Sequence, residues 1–207
     1  MKLTATIQVT VDGVMQANGG AHPDLDPGYD RGGWALPLFD DESFAHVEET
    51  YERADAFLFG RRTYDFFAHT WGAIPDMMDS RIGRALNEKP KYVASTTLTR
   101  PHWAPGTVLP GGGDGGDLAA AAQELKAAPG GELQVHGSGD LTRWLLAQNL
   151  LDELHLLTVP VIVGRGIRLF PHDGPDHALD LTEFRAFPKG ITLQTYRLAR
   201  RPQYAAH

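Results

Sequence analysis

Val135-His136-Gly137-Ser138-Gly139-Asp140-Leu141 is the stretch on which the fold turns. A short apolar run ending at His136 has the length of a strand. Two glycines follow, and a helical pattern with Leu141, Trp144 and Leu145 on one face begins at once. A strand that enters a helix through a glycine turn is the joint of an α/β domain. Glycine lets the backbone approach a ligand, and the helix N-terminus offers unpaired N–H groups to an anion. Two readings stand side by side: a phosphate cradle, or a turn that uses glycine for sterics alone. Asp140 either sets a negative charge beside the anion or caps the helix.

The same joint recurs upstream. Ala54 to Gly60 reads as a buried strand, and Arg61 to His69 as a helix. At their meeting point Gly60-Arg61-Arg62-Thr63-Tyr64 places two guanidiniums and a hydroxyl beside free helix N–H groups. Read alone, it is also a solvated basic turn. Lys91 to Thr96 is a third strand, with Ser95 and Thr96 at its end as ligand contacts or as caps. All three turns fall past the carboxyl ends of strands, the edge where open α/β sheets bind ligands. Residues 2–11 form a first strand ending at Asp12-Gly13, and Asp117 opens an Ala-rich helix after a 110–116 connector. A strand over 154–163 follows, then two more near 179–187 and 191–198 around the turn Pro188-Lys189-Gly190. The alternation predicts a mostly parallel twisted sheet flanked by helices, closed by a C-terminal antiparallel hairpin. The expected domain spans 1–200, with a short tail at 201–207.

Between the first strand and the first helix, residues 16–38 are rich in Gly, Pro and Asp. A loop that long is either functional or disordered, and this one is expected to close over the ligand. Trp34 either stacks on a ring there or packs the loop onto the core. Asp40 and Asp41 precede the helix of Phe44, Val47 and Tyr51. A carboxylate there holds a substrate ring and helps deliver a proton, or simply caps the helix.

Taken together, Asp12-Gly13, Gly60-Arg61-Arg62-Thr63-Tyr64, Lys91 to Thr96, Gly137-Ser138-Gly139, Leu151-Asp152-Glu153-Leu154, Pro160 to Gly166 and Leu169-Phe170 resemble the dihydrofolate reductase superfamily. Within it, the chain is similar to bacterial proteins like the riboflavin-biosynthesis reductase domain. The resemblance spans nearly the whole chain. It implies a dihydrofolate-reductase-like fold that binds NADPH and passes a hydride to a pterin-, pyrimidine- or flavin-like substrate. It also implies roles for residues. Arg61 and Arg62 would meet the 2′-phosphate, and Thr63 with the turn Gly137, Ser138, Gly139, Asp140 and Leu141 the pyrophosphate. Ser95 and Thr96 would border the adenosine ribose and phosphate, and Gly60 would also contact the cofactor. Backbone groups of Ile7 and Gln8 would lie near the carboxamide, under a mobile loop that starts at Val14. Trp34-Ala35-Leu36-Pro37 is similar to the stretch before the folate enzymes' active-site helix. Their pterin-binding carboxylate falls on Phe39, with Asp40 one residue late, and their glutamate-tail arginine is replaced by Lys89-Pro90-Lys91. Folate is therefore not the expected substrate. A cofactor-binding module without turnover and a flavin-binding variant remain as alternatives.

Composition narrows the field. The 207 residues carry a formal net charge of −7 and no cysteine. An acidic chain with scattered Lys and Arg is a poor nucleic-acid binder. Disulfides, Cys-ligated metals and Cys nucleophiles are excluded, and no His spacing suggests a metal site. The first residues lack a signal peptide's apolar core, and no apolar run approaches a membrane span. A cytoplasmic protein is expected, forming a homodimer through the apolar edge of its late strands.

Overall fold

The computed structural model describes residues 1–21, 27–110, 116–199 and 201–205. The loop signals at 22–26, most of the 110–116 connector and Arg200 lie outside these. In chain order the elements are β1 (Lys2–Thr10), α1 (Asp41–Arg53), β2 (Ala54–Gly60), α2 (Arg61–His69), α3 (Pro75–Met78), α4 (Arg81–Glu88), β3 (Lys91–Ser95) and β4 (Gly106–Pro110). Then come α5 (Gly116–Ala127), β5 (Glu132–His136), α6 (Gly139–Ala147), β6 (Glu153–Val159), β7 (Leu179–Ala186) and β8 (Thr192–Leu198).

One sheet orders these strands β4-β3-β2-β5-β1-β6-β8-β7. The strands from β4 to β6 run parallel, and β8 and β7 add antiparallel at the end of β6. The hairpin between them turns at Gly190, whose φ of +90° suits a residue without Cβ.

The two-residue period of the strands divides the core. On β1, Leu3, Ala5, Ile7 and Val9 face one side with Leu133 and Val135 of β5. There they meet Leu118 and Ala122 of α5 and Leu141 and Leu145 of α6. The aromatic cluster of Phe57, Phe59, Tyr64 and Trp103 lies on the opposite side, under α2 and α4. Between the sheet and α1 the alternate positions of β1, β5 and β6 are polar. Thr4, Gln134, His136, Glu153 and His155 are all buried there.

Four readings of the sequence are corrected. The strand foreseen over 154–163 ends at Val159, because Pro160 has no N–H to continue the ladder. β4 was not foreseen; it is a short edge strand, the position at which a proline such as Pro110 is tolerated. Helix α4 was hidden by Gly83 in its first turn. A Cβ at Gly83 would lie 1.9 Å from the Met77 carbonyl oxygen, so close packing on α3 demands the glycine. Asp140 does not cap α6: the cap position is Ser138, and Asp140 pairs with Arg143 instead.

Other sequence features became scaffolding. Asp152 accepts the N–H of Leu3 at 2.8 Å and pairs with Lys126 at 2.8 Å. Asp12 accepts from the Thr10 hydroxyl and from the N–H groups of Val163 and Gly164. These bonds hold its carboxyl down to about 2 and fasten the 160–166 segment beside β1. Lys91 turns its Nζ onto the Leu86 carbonyl at 2.6 Å, over the Trp103 ring.

Candidate functional site

The sheet opens at its centre because its strands stop at different heights. The β1–β5 ladder ends where Thr6 faces His136, while β1 stays paired with β6 as far as Thr10. Past Thr6, the β5-facing edge of β1 is therefore outside any strand ladder. A cleft of about 540 Å³ occupies this gap, lined there by Thr6, Ile7 and Gln8.

Two helix N-termini enter the same cleft, through Gly60–Thr63 of α2 and Gly137–Leu141 of α6. Neither has a side-chain cap. Away from the cleft, α1 and α4 are capped by Asp40 and Ser80. Helix N–H groups that nothing satisfies are costly unless water or a ligand takes them, and paired N-termini favour an anion.

The two turns are fastened to each other. The N–H of Gly60 donates to the Ser138 hydroxyl at 3.0 Å, and the N–H of Ser138 donates to the Thr63 hydroxyl at 3.0 Å. Gly137 and Ser138 both take left-handed conformations, with φ of +61° and +51°. A Cβ on Gly139 would lie 2.4 Å from the sulfur of Met15, which closes over the turn from the loop.

Charge is arranged to suit. Arg61 uses its Nε on Asp65 at 2.6 Å, which fixes the side chain at the base of α2. Asp140 is the one carboxylate among the described lining residues, and Arg143 neutralises it. Arg143 also donates to the Leu169 carbonyl at 2.9 Å, tying α6 to the segment after residue 160.

The inner wall is built by residues the sequence reading did not single out as site residues. Val47, Thr50 and Tyr51 of α1, with Phe67 and His136, line it. Tyr51 stacks on His136 at 3.8 Å between ring centroids. The available signal was the period of β5: with Leu133 and Val135 in the core, His136 had to face the other side, beside a glycine turn.

Of the residues singled out from sequence, Ile7, Gln8, Gly60 to Thr63 and Gly137 to Leu141 come together around one cavity. Val14 is fully buried and bridges Arg168, leaving Met15 and Gln16 to line the cleft. Ser95 accepts the N–H of Thr97 at 3.2 Å and of Leu98 at 2.9 Å. It closes its own turn, and neither it nor Thr96 is among the lining residues; Ala94 is. Asp40 sits in a capping box with Ser43 and accepts the Lys189 N–H at 2.8 Å, outside the lining. Those bonds hold its carboxyl below its ordinary range. Trp34 likewise lies outside the lining. Its Nε1 donates to the Gln16 carbonyl at 2.9 Å while its ring packs near Ala35 and Val159. Each has a local partner within the chain, Asp40 as the cap of α1 and Trp34 on the Gln16 carbonyl. Among the described residues no cluster of His, Asp or Glu is arranged for a metal, and no helix is long and apolar enough to cross a membrane.

Comparison with known proteins places this geometry. The model of the RibD C-terminal domain family matches residues 1–193. YyaP of Bacillus subtilis (strain 168), an uncharacterized protein, is 25% identical over 147 residues, 69% of this chain and 73% of that one. Among solved structures, a protein of Shewanella sp. PV-4 described under riboflavin biosynthesis superposes with a TM-score of 0.65. It is 22% identical over 97% of this chain and 100% of its own. A pyrimidine reductase-like protein of Corynebacterium diphtheriae gives a TM-score of 0.63 at 14% identity, over 96% of this chain and 92% of its own. The riboflavin biosynthesis reductase of Saccharomyces cerevisiae gives 0.57 at 13%, over 96% and 90%. These superpositions establish the dihydrofolate-reductase type of fold.

Proposed function

The chain belongs to the RibD C-terminal domain family, and on that premise we propose that its cleft binds NADPH and that the protein reduces a small pyrimidine-, pterin- or flavin-like ring. One observation carries the reading: two uncapped helix N-termini, α2 and α6, are fastened together at one end of a cleft whose other end is aromatic and apolar. The residues present fit the cofactor. The turn Gly137–Gly139 and the hydroxyl of Thr63 suit a pyrophosphate, and Arg61 with Arg62 at the start of α2 suits a 2′-phosphate. The open edge of β1 at Ile7 and Gln8 leaves backbone groups for a carboxamide. Ser95 and Thr96 keep no part in this arrangement.

NADPH when bound supplies a hydride. The chain orients the reacting rings between β1 and α1 and excludes water with Tyr51, Phe66 and Phe67. The lining offers no unpaired carboxylate among the described residues, so the proton is assigned to solvent. A homodimer in the cytoplasm belongs to the same proposal.

Calorimetric titration with NADPH and NADH tests it. A charge-assisted contact to the 2′-phosphate predicts a preference for NADPH of roughly 10- to 150-fold. Equal affinities remove Arg61 from the site, and failure of both to bind removes the cofactor. That no unpaired carboxylate lines the cleft among the described residues favours one second reading, a cofactor-binding module without turnover. Oxidation of NADPH across a panel of ring compounds separates the two. A colourless purified protein eliminates a bound flavin.

A further inference from the structure

His136 carries a chain of hydrogen bonds whose polarity is fixed from its far end. The Gln134 amide nitrogen faces two groups that only accept, the Thr50 carbonyl at 2.8 Å and the Glu132 carboxylate at 2.6 Å. The amide must therefore turn its oxygen toward His136, whose Nε2 lies 2.9 Å away. An amide oxygen only accepts, so Nε2 holds the ring's proton. Arg53 donates to the other Glu132 oxygen at 3.3 Å. In a neutral imidazole with a proton on Nε2, Nδ1 is a bare acceptor.

The ring is held in place and stays neutral. Tyr51 stacks on it at 3.8 Å, and Phe57 lies tilted at 5.9 Å. Burial pushes the imidazole down to about 3, and the neighbouring positive charge of Arg53 and the nearby His155 act in the same direction. The remaining titratable neighbour, Tyr51, is held in its neutral form by burial. His136 lines the cleft, and no hydrogen bond reaches its Nδ1 among the described residues.

We propose that Nδ1 of His136 is the acceptor that selects the substrate, and that the cleft takes heterocycles presenting a ring N–H or amino donor to it. The inference rests on the reductase reading of the cleft and adds to it the edge by which the ring is recognised. Gln134, Glu132 and Arg53 are positioning residues that lock the tautomer. An acceptor at a cleft wall discriminates strongly, because a ligand without a donor leaves it desolvated and unpaired.

The test uses the unmodified protein, with its histidines labelled with ¹⁵N and loaded with NADPH. Loading is confirmed first by calorimetry, so that failure of the cofactor reading is seen separately. Nitrogen spectra then read the His136 tautomer directly, with 2-aminopyrimidine and 2-methylpyrimidine as probes of nearly equal shape. The expected result is an unprotonated Nδ1 that moves on adding the amino compound. The methyl compound should bind roughly 5- to 100-fold more weakly. A proton on Nδ1 overturns the proposal. So does equal binding of the two probes, or an unmoved Nδ1 signal at the solubility limit of both. Gln134→Met removes the lock without touching the ring. A mixture of tautomers is expected, and an unchanged one overturns the role of Gln134. If that variant does not fold, the measurement on the unmodified protein decides alone.

Discussion

The backbone N–H of Ser138 donates to the hydroxyl of Thr63, 75 positions earlier in the chain, at 3.0 Å. With the return bond from the Gly60 N–H to the Ser138 hydroxyl, it fastens two separate turns to each other. Thr63→Val keeps the shape of the side chain and deletes the acceptor. A loss of about 1–3 kcal/mol in stability is expected from the stranded N–H, with at least a roughly tenfold loss in NADPH affinity. Thr63→Ser restores both. Denaturant unfolding and calorimetric titration measure the two effects. A valine variant that binds as tightly as the parent would show that the turns do not depend on this bond.

Gly137→Val meets a different obstacle. The backbone there has a φ of +61°, and a Cβ would stand 3.4 Å from the Thr63 methyl. A β-branched residue in that conformation costs on the order of 1–3 kcal/mol. NADPH binding is expected to be lost, while Gly137→Asn, which tolerates the left-handed region, keeps part of it. Equal affinity in the two variants refutes a conformational cause.

Acid destabilises the fold through His136. Its value in the folded protein is about 3, against 6.5 for an unhindered imidazole. Between these values the unfolded chain binds more protons. Stability therefore rises with pH across that window and is lost as pH falls through it. Asp12, held at about 2 against 3.8, adds a second loss at lower pH, where its carboxylate is protonated. Urea midpoints measured along this range should fall steadily below 6.5, and His136→Phe should flatten the upper part. An unchanged slope in that variant would remove His136 as the cause.

Strand β7 lies at the end of the sheet, with Leu181 and Phe184 exposed at 55% and 59%. An edge strand with apolar side chains pairs readily with another copy. Light scattering at micromolar concentration is expected to give a dimeric mass. Leu181→Asp combined with Phe184→Asp is expected to give a monomer. A monomeric parent protein contradicts the assignment.

The joints of this fold were legible in the sequence because they are local. Gly60-Arg61-Arg62-Thr63 and Gly137-Ser138-Gly139 announce strand ends and helix starts within a few residues, and the period of two sorts Leu133 and Val135 from His136. The inner wall was not legible, since it depends on α1 crossing β5, a pairing remote in sequence. Asp40 and Trp34 each had two readings, capping being the favoured one for Asp40 and the two standing level for Trp34. The structure supplies the local partners that sequence could not: Ser43 and the Lys189 N–H for Asp40, and the Gln16 carbonyl for Trp34. Ser95 went the same way, spent on the N–H groups of Thr97 and Leu98.

The strand order carries a consequence for how the chain acquires its structure. β1 has no neighbour close in sequence: Lys2 pairs with Glu132, and Thr4 with both Gln134 and Glu153. Until those later segments exist, Leu3, Ala5, Ile7 and Val9 have no sheet to join and remain a sticky apolar ribbon. Loop closure over such distances slows folding and prolongs exposure. A nascent chain is thus most prone to aggregate, and most dependent on chaperones, before β5 and β6 have emerged to enclose its first strand.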